Sequence, residues 1–460
     1  MTEQAQENID FGQQVLKEIN EPTPEEETHK RSFWSTISIP LLAILTGLII
    51  GAILIAATSP TVWAAFGESI WRGFGQAFTE IGKAYGALFT GSILDPAKIV
   101  RAISTGDPRD IRSAVNPFLE SLVQATPYIF SGLAVAVGFR SGLFNIGVEG
   151  QLFIGAACAT FVGYAITGLP AYIHMPLAFL AGALGGAIWA FIPGLLKAKT
   201  GGHEVINTIM MNWIAFRLTE WLLSGPMTRP GSGGMPLSPL IQDTAKIPQF
   251  FASPIRFHLG FFIALAIAWL INWLLFKTTW GLNLRTVGTN PRAARYAGLN
   301  TDNSIMIAMA ISGALAGMAG GTQILAVNHS MALGLSSGYG FDSIALALIG
   351  NNTPIGVILA SLLFGTLRNG ATRMMVVSAI PIDIVDVIQA IILIFVAAPA
   401  IIRSIYRLKQ PKVEETQVFL SGWGGKKWLP LHKPYPTKSL LQSPPRARFP
   451  WGSLKLSLAC

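Results

Sequence analysis

Eight stretches of about twenty mostly apolar residues run along the chain: 37–58, 119–139, 143–166, 175–196, 204–223, 259–276, 303–327 and 384–402. As helices rising about 1.5 Å per residue they are long enough to cross a hydrocarbon core of roughly 30 Å, and too long for the strands of a transmembrane barrel. In lipid every backbone N–H and C=O must be paired within its own segment, so helix is the conformation these stretches impose. Two shorter apolar stretches, 341–350 and 354–367, flank Asn351, Asn352 and Pro354 and read as half-spans or tilted spans. The expected fold class is therefore all-α, a polytopic membrane protein of about ten transmembrane helices, two of them short or broken. A charged fraction of 12%, about half that of a soluble domain, agrees.

Lys and Arg set the orientation. Lys30, Arg31, Arg140, Lys197, Lys199, Lys277, Arg285, Arg292, Arg295, Arg403 and Arg407 all fall on one side if ten spans alternate, which puts both termini in the cytoplasm. Residues 1–33 carry eight acids and three bases and read as a disordered acidic terminus; 34–402 read as the transmembrane domain. Residues 403–460 hold eleven bases and two acids, a net +9 equal to that of the whole chain, and read as a basic cytoplasmic tail facing anionic lipid, not nucleic acid. Within the domain, 59–118 carry apolar residues at helical spacing broken by Glu68, Arg72, Glu80 and Lys83, and are expected as external or interfacial amphipathic helices. Residues 225–258, rich in Pro and Gly, form an external loop. Cys158 lies in a span and Cys460 ends the chain, so no disulfide framework is implied. His203 beside Glu204 gives too few ligands for a metal.

One span is interrupted where it should be most apolar. "SGLFNIGVEGQLFIGAACATF", 141–161, carries Asn145, Glu149 and Gln151 with glycines at 147 and 150. Intramembrane carboxylates and amides are costly, and they face a bundle interior or an aqueous path. The glycines weaken helix by about 1 kcal/mol each, so the first turns are expected to unwind. A transport path and a structural anchor near the cytoplasmic mouth both remain open for Glu149. Asn207, Thr208 and Asn212 make a polar stripe that serves either helix–helix bonding or the path. Gln124, Gln323, Asn328 and Asn351 are further path candidates. Gly182 with Gly186, and Gly313 with Gly317 and Gly321, let helix backbones approach closely.

"FRSGLFNIGVEGQLFIGA" resembles the signature of ATP-binding-cassette importer permeases for nucleosides, within the group that also holds branched-chain amino acid and ribose permeases. "TGGHEVINTIMMNWIA", "TVGTNPRAARYAGLN", "GFDSIALALIGNNTPIGVILASLLFG" and "PIDIVDVIQAIILIF" follow in that family's order. The resemblance implies a multi-pass permease of the prokaryotic cell membrane that does no covalent chemistry and needs no cofactor. It implies as partners two ATP-binding-cassette subunits, a second and different permease subunit, and an extracytoplasmic substrate-binding protein. No Gly-x-x-x-x-Gly-Lys-Ser/Thr loop occurs in the chain, which is consistent with a separate ATPase. Residues 286–300 resemble the cytoplasmic coupling helix of such permeases: Asn290 caps, Pro291 starts, Arg292, Arg295 and Tyr296 are presented, and Gly298 lies near the end. A basic loop holding anionic lipid is the competing reading of that segment. The expected substrate is a nucleoside, purine or broad in range, for which the amides and aromatics such as Phe144, Phe130 and Trp213 offer hydrogen bonds and stacking. The alternatives are an importer permease for a sugar or another small solute, and an ion-coupled secondary transporter using Glu149. If the tail marks topology or meets lipid, truncation after Pro411 should leave substrate uptake and complex assembly intact; loss of assembly in a pull-down would refute that reading.

Overall fold

The computed structural model describes residues 33–336, 338–378 and 382–407. The expectations for the acidic terminus at 1–32 and for most of the basic tail, 408–460, lie outside them. The described chain is a succession of helices. The first four are α1 (Phe33–Thr58), α2 (Pro60–Glu68), α3 (Ile70–Ser92) and α4 (Pro96–Thr105). Next come α5 (Pro108–Arg140), α6 (Val148–Ala165), α7 (Ala171–Thr200) and α8 (Glu204–Ser224). After a long loop follow α9 (Gly260–Lys277), α10 (Thr279–Thr289), α11 (Pro291–Tyr296) and α12 (Thr301–Thr322), the last running on into a π-helical turn at Gln323–Asn328. The chain closes with α13 (Tyr339–Ile349), α14 (Pro354–Ser378), α15 (Ile382–Ala397) and α16 (Pro399–Ile405). Among the described residues seven helices, α1, α5, α6, α7, α9, α12 with its π turn, and α14, are long and apolar enough to cross a membrane. The apolar α8, α13 and α15 fall at the other three expected positions, with 21, 11 and 16 residues.

Local chemistry explains where helices begin and stop. Asp95 accepts from the Ala97 N–H at 3.2 Å and Asp107 from the Arg109 N–H at 2.8 Å, each followed by proline at the first helical position. Gly106 and Gly201, at φ 64° and 70°, take the left-handed conformation that ends α4 and α7. At Asp95, burial works against the charged form. The Arg373 guanidinium at 2.9 Å and the Lys98 and Ala97 amides outweigh it and hold the carboxyl below its usual range.

α5 is buried along most of its length and forms the axis of the bundle, packed by α12, α13, α14 and α9. α6, α7 and α12 meet along glycines: Gly182 and Gly186 lie against Gly313 and Gly317, and Gly155 against Gly317, with no room for a Cβ at the contacts. The glycine rows read from the sequence thus join helices within one subunit. α3 is packed against spans, setting Ala84, Ala87 and Leu88 on Leu367, Ala371 and Met374 of α14 and the Tyr85 hydroxyl on the Leu48 carbonyl of α1. Its other side leaves Trp71, Phe74 and Phe78 exposed.

Three boundaries differ from the sequence reading. The span expected at 143–166 becomes helical only at Val148, so its first residues are indeed unwound. The stretch 354–367, expected to be a half-span, is the start of a 25-residue helix; Arg368, Asn369 and Arg373 end its apolar run, but all three are bonded inside the protein. The span at 384–402 breaks at Ala398, where Pro399 starts a new helix.

The loop 225–258 is pinned by main-chain bonds, Ser238 N–H to the Met331 carbonyl at 2.9 Å and Ile247 N–H to the Leu325 carbonyl at 2.9 Å. His258, at its end, is fully buried, and neither ring nitrogen has a hydrogen-bond partner among the described residues. Burial, then the charges of Arg256 and His329, push its pKa from 6.5 down to about 4. The unfolded chain therefore binds this proton more tightly, and the stability that depends on neutral His258 is full above pH 6.5 and is lost as pH falls toward 4. Lowering pH from 7 to 5 should cost about 2 kcal/mol through this group. Thermal unfolding in detergent should show the loss, and His258→Phe should flatten the slope.

Candidate functional site

The unwound segment is held by side chains from its own sequence and from two neighbouring helices. Asn145 and Gln151 form a reciprocal amide pair: Asn145 Nδ2 donates to Gln151 Oε1 at 3.0 Å, and Gln151 Nε2 donates to Asn145 Oδ1 at 3.1 Å. Asn145 Oδ1 also accepts the Gly147 N–H at 2.9 Å, and its Nδ2 donates to Ser312 Oγ at 2.9 Å; that hydroxyl donates to the Ala134 carbonyl. Asn212 on α8 bridges the break, accepting the Gly150 N–H at 2.8 Å and donating to the Ile146 carbonyl at 3.0 Å. All three amide side chains are buried. Asn145 and Asn212 supply bonds that the missing helical turns would have made, as backbone at membrane depth requires, and Gln151 holds Asn145 in place.

Glu149 sits in the first turn of α6 and is 3% exposed, too little for water to solvate its charge. Its carboxylate accepts the Gly340 N–H at 2.6 Å, in the first turn of α13. A Cβ on residue 340 would come within 2.6 Å of Glu149 Cα, so only glycine lets the two helices approach this closely. The Ser336 hydroxyl oxygen accepts the Gly338 and Tyr339 amides at 3.2 and 3.1 Å, leaving its proton for Glu149. A carboxylate at two helix N-termini is favoured by both dipoles.

Beyond Gly340 lies a second polar cluster that the sequence reading passed over. The Tyr128 hydroxyl donates to Asp342 Oδ2 at 2.8 Å and accepts from Arg368 Nη1 at 2.7 Å. Arg368 and Asp342 are an ion pair at 3.5 Å. The guanidinium stands 4.9 Å from the centre of the Tyr339 ring, which meets Tyr128 edge to face at 4.8 Å. The Tyr339 hydroxyl donates to Gln124 Oε1 at 2.9 Å, and the Gln323 side chain lies beside it. Asp342, inside the stretch 341–350, and Arg368, directly after 354–367, carried a signal in the sequence as charges in or beside apolar runs.

Gln124 and Gln323 thus converge on Tyr339, and Asn145, Glu149, Gln151 and Asn212 on the break. Phe144 is half-buried against Phe139, ring centres 5.1 Å apart. Asn207 is half-buried beside Gly202 at the start of α8. Asn328 is exposed at the far end of the π turn, and Asn351 is exposed in the α13–α14 turn. Phe130 packs in the core against Phe179, and Trp213 is 59% exposed on the bundle surface. Among the described residues no three His, Cys, Asp or Glu side chains gather as a metal site.

At the Arg140 end the break touches the surface loop. Arg140 donates to the Asn352 and Asn351 carbonyls at 2.9 and 3.1 Å, and Gly288 of α10 lies backbone to backbone against Arg140–Gly142. Asn290 Oδ1 accepts the Arg292 and Ala293 amides, both at 3.1 Å, so it caps α11 as its sequence suggested. Gly298, at φ 82°, ends the turn, with the Leu299 N–H reaching back to the Ala294 carbonyl. Arg292 and Tyr296 project from this short helix, Tyr296 at 95% exposure, while Arg295 turns back to Thr301 Oγ1 at 2.9 Å.

Comparison with known proteins finds the chain similar to permease components of transport systems. A family model described as branched-chain amino acid transport system, permease component, matches residues 118–397. The guanosine ABC transporter permease protein NupP of Bacillus subtilis is 39% identical over 375 residues, 80% of this chain and 95% of that protein. The nucleoside ABC transporter permease protein NupB of Lactococcus lactis is 31% identical over 379 residues, 80% of this chain and 92% of its own. The glucose ABC transporter permease protein TsgB13 of Haloferax volcanii is 35% identical over 288 residues, 60% of this chain and 74% of its own. No solved structure matches the chain.

The Glu149–Gly340 contact yields a stability test. Glu149→Ala should strand the Gly340 N–H in the interior and lower stability by about 1 to 3 kcal/mol, whereas Glu149→Gln keeps an acceptor oxygen and should lose less. Thermal unfolding of the purified variants in detergent measures the difference; equal losses would show that the carboxylate does not anchor α13.

Proposed function

This chain belongs to the family of permease components of branched-chain amino acid transport systems, and on that premise we propose that it is the membrane-spanning permease of an ATP-binding-cassette importer for nucleosides. The observation that carries the substrate class is the 39% identity to a guanosine permease across 95% of that protein's length. The shorter match to a glucose permease supports sugar as the second reading. The partners in this reading are a pair of ATPase subunits, a second permease subunit and an external binding protein that delivers substrate. The Arg140 end, which shares its side with α11, faces the cytoplasm, and so do both termini.

In this mechanism the ATPase docks on α11. Tyr296 offers an exposed ring and Arg292 a guanidinium that can bind carboxylates or carbonyls in a fork. Closure of the ATPase pair pushes α11 and, through the helix before it, Gly288. That residue bears on Arg140–Gly142, and Arg140 holds the α13–α14 turn. Displacement therefore reaches both helix breaks from one surface contact, with Glu149 and Gly340 coupling α6 to α13. Backbone-on-backbone contact at Gly142 and Gly288 leaves no compressible side chain to absorb the motion.

Replacing Arg292 and Tyr296 together with Ala should weaken ATPase association. Truncating an Arg or Tyr anchor costs about 2 kcal/mol or more, roughly a thirtyfold loss of affinity. Pull-down of the ATPase and substrate-stimulated hydrolysis in proteoliposomes measure it, with binding-protein docking outside unchanged. If both remain at wild-type levels, α11 is not the coupling element.

A further inference from the structure

The second polar cluster stands at mid-membrane depth. Tyr128 is twelve residues from the Arg140 end of α5, and Arg368 fourteen residues from the Pro354 end of α14. At about 1.5 Å per residue both lie about 20 Å along their helices, well inside a core of roughly 30 Å. The two tyrosine rings are buried, but the ion pair is not sealed: the Asp342 side chain is 35% exposed and that of Arg368 20%. Asp386 on α15, also exposed, is near enough for its charge to act on Asp342.

Charged groups cannot present that much surface to acyl chains at this depth without a cost of several kcal/mol. The faces of α14 separate accordingly. Ile355 and Leu359 expose apolar side chains at 66% and 64%, and Arg368 follows Leu359 by nine residues, about two and a half turns, on the opposite side of the helix. An aqueous passage beside the edge of Asp342, Arg368 and Asp386 would remove that cost.

We infer that this edge is a substrate station in the translocation path, where the carboxylates of Asp342 and Asp386 accept hydrogen bonds from the vicinal hydroxyls of a ribose. The inference rests on the nucleoside reading above for the identity of the ligand, and on depth and exposure for the passage itself. Arg368 is the positioning residue: its bond to Tyr128 and its place over the Tyr339 ring fix the orientation of Asp342. Charge-assisted acceptors discriminate strongly, because a ligand without the hydroxyls leaves them desolvated and unpaired.

The test uses the assembled transporter in proteoliposomes, with Cys158→Ser and Cys460→Ser as background. Ala390→Cys, one turn from Asp386 on the same exposed face of α15, and, as the apolar-face control, Leu359→Cys are reacted with a membrane-impermeant, water-borne thiosulfonate. The station predicts rapid labelling of Ala390→Cys, slow labelling of Leu359→Cys, and protection of the former by guanosine but not by 2′,3′-dideoxyguanosine. Absence of labelling in both the nucleotide-free and ATP-bound states would overturn the inference whatever the substrate. Equal protection by the two nucleosides would overturn the ribose contact. Protection by glucose and not guanosine would overturn the nucleoside reading and keep the station. A second variant guards against local damage at 390: with the same binding protein, Asp342→Asn should lower the guanosine to dideoxyguanosine uptake ratio by about tenfold, the worth of a charged hydrogen bond. A ratio equal to wild type would mean that the ion pair only braces the fold.

Discussion

One hydrogen bond, from the Gly340 amide to the Glu149 carboxylate, joins two helices that both begin inside the protein. A helix starting at membrane depth leaves amide N–H groups without intrahelical acceptors, and lipid offers none. Here the Glu149 carboxylate, in the first turn of α6, accepts from the first turn of α13, and Asn212 accepts from the first turn of α6. The neighbouring features follow from that arrangement. Residue 340 must be glycine for the approach, Ser336 must cap from the other side, and Asn145, Gln151 and Asn212 must replace the bonds lost in 141–147. Asn145 and Asn212 pair the backbone of the break directly, and Gln151 holds Asn145 in place.

The polar groups fall into a chain with two ends. At the Arg140 end, Arg140 ties the break to the turn between α13 and α14, and Gly288 ties it to the surface helix α11. Toward the middle of the bundle, α13 carries Tyr339 and Asp342 to Tyr128 and Arg368. α13, only 11 residues long, is the element common to both. Its first turn is held by Glu149 and its last turn leads into the residues held by Arg140, so neither end can shift without altering the other cluster.

The helical character of the chain was legible because lipid imposes one backbone solution on any long apolar stretch, and composition reports that directly. The unwinding before Val148 was legible for the same reason in reverse: Gly147, Gly150 and three polar residues are what a continuous lipid-facing helix would exclude. The capping of α11 by Asn290 could also be read, since a cap acts over three residues. What could not be read was pairing at a distance. Nothing near Glu149 announces Gly340, and the roles of Asp342 and Arg368 depend on Tyr128, more than two hundred residues earlier in the chain. A linear scan counts the cost of burying a charge and not the partner that offsets it. The same limit hid the difference between Asn212, which bridges the break, and Asn207, which lies at the head of its helix.

The turn at Gln323–Asn328 is wider than the helix it continues, with the His329 amide reaching back five residues to the Ile324 carbonyl at 2.8 Å. Such a turn holds one residue more than an α-helical turn does. An inserted residue in a helix is a phase shift, and each residue is worth about 100° of rotation about the axis. The chain beyond Asn328 therefore leaves α12 at an angular setting that no straight α-helix of this sequence could give it. The 329–336 segment inherits that setting.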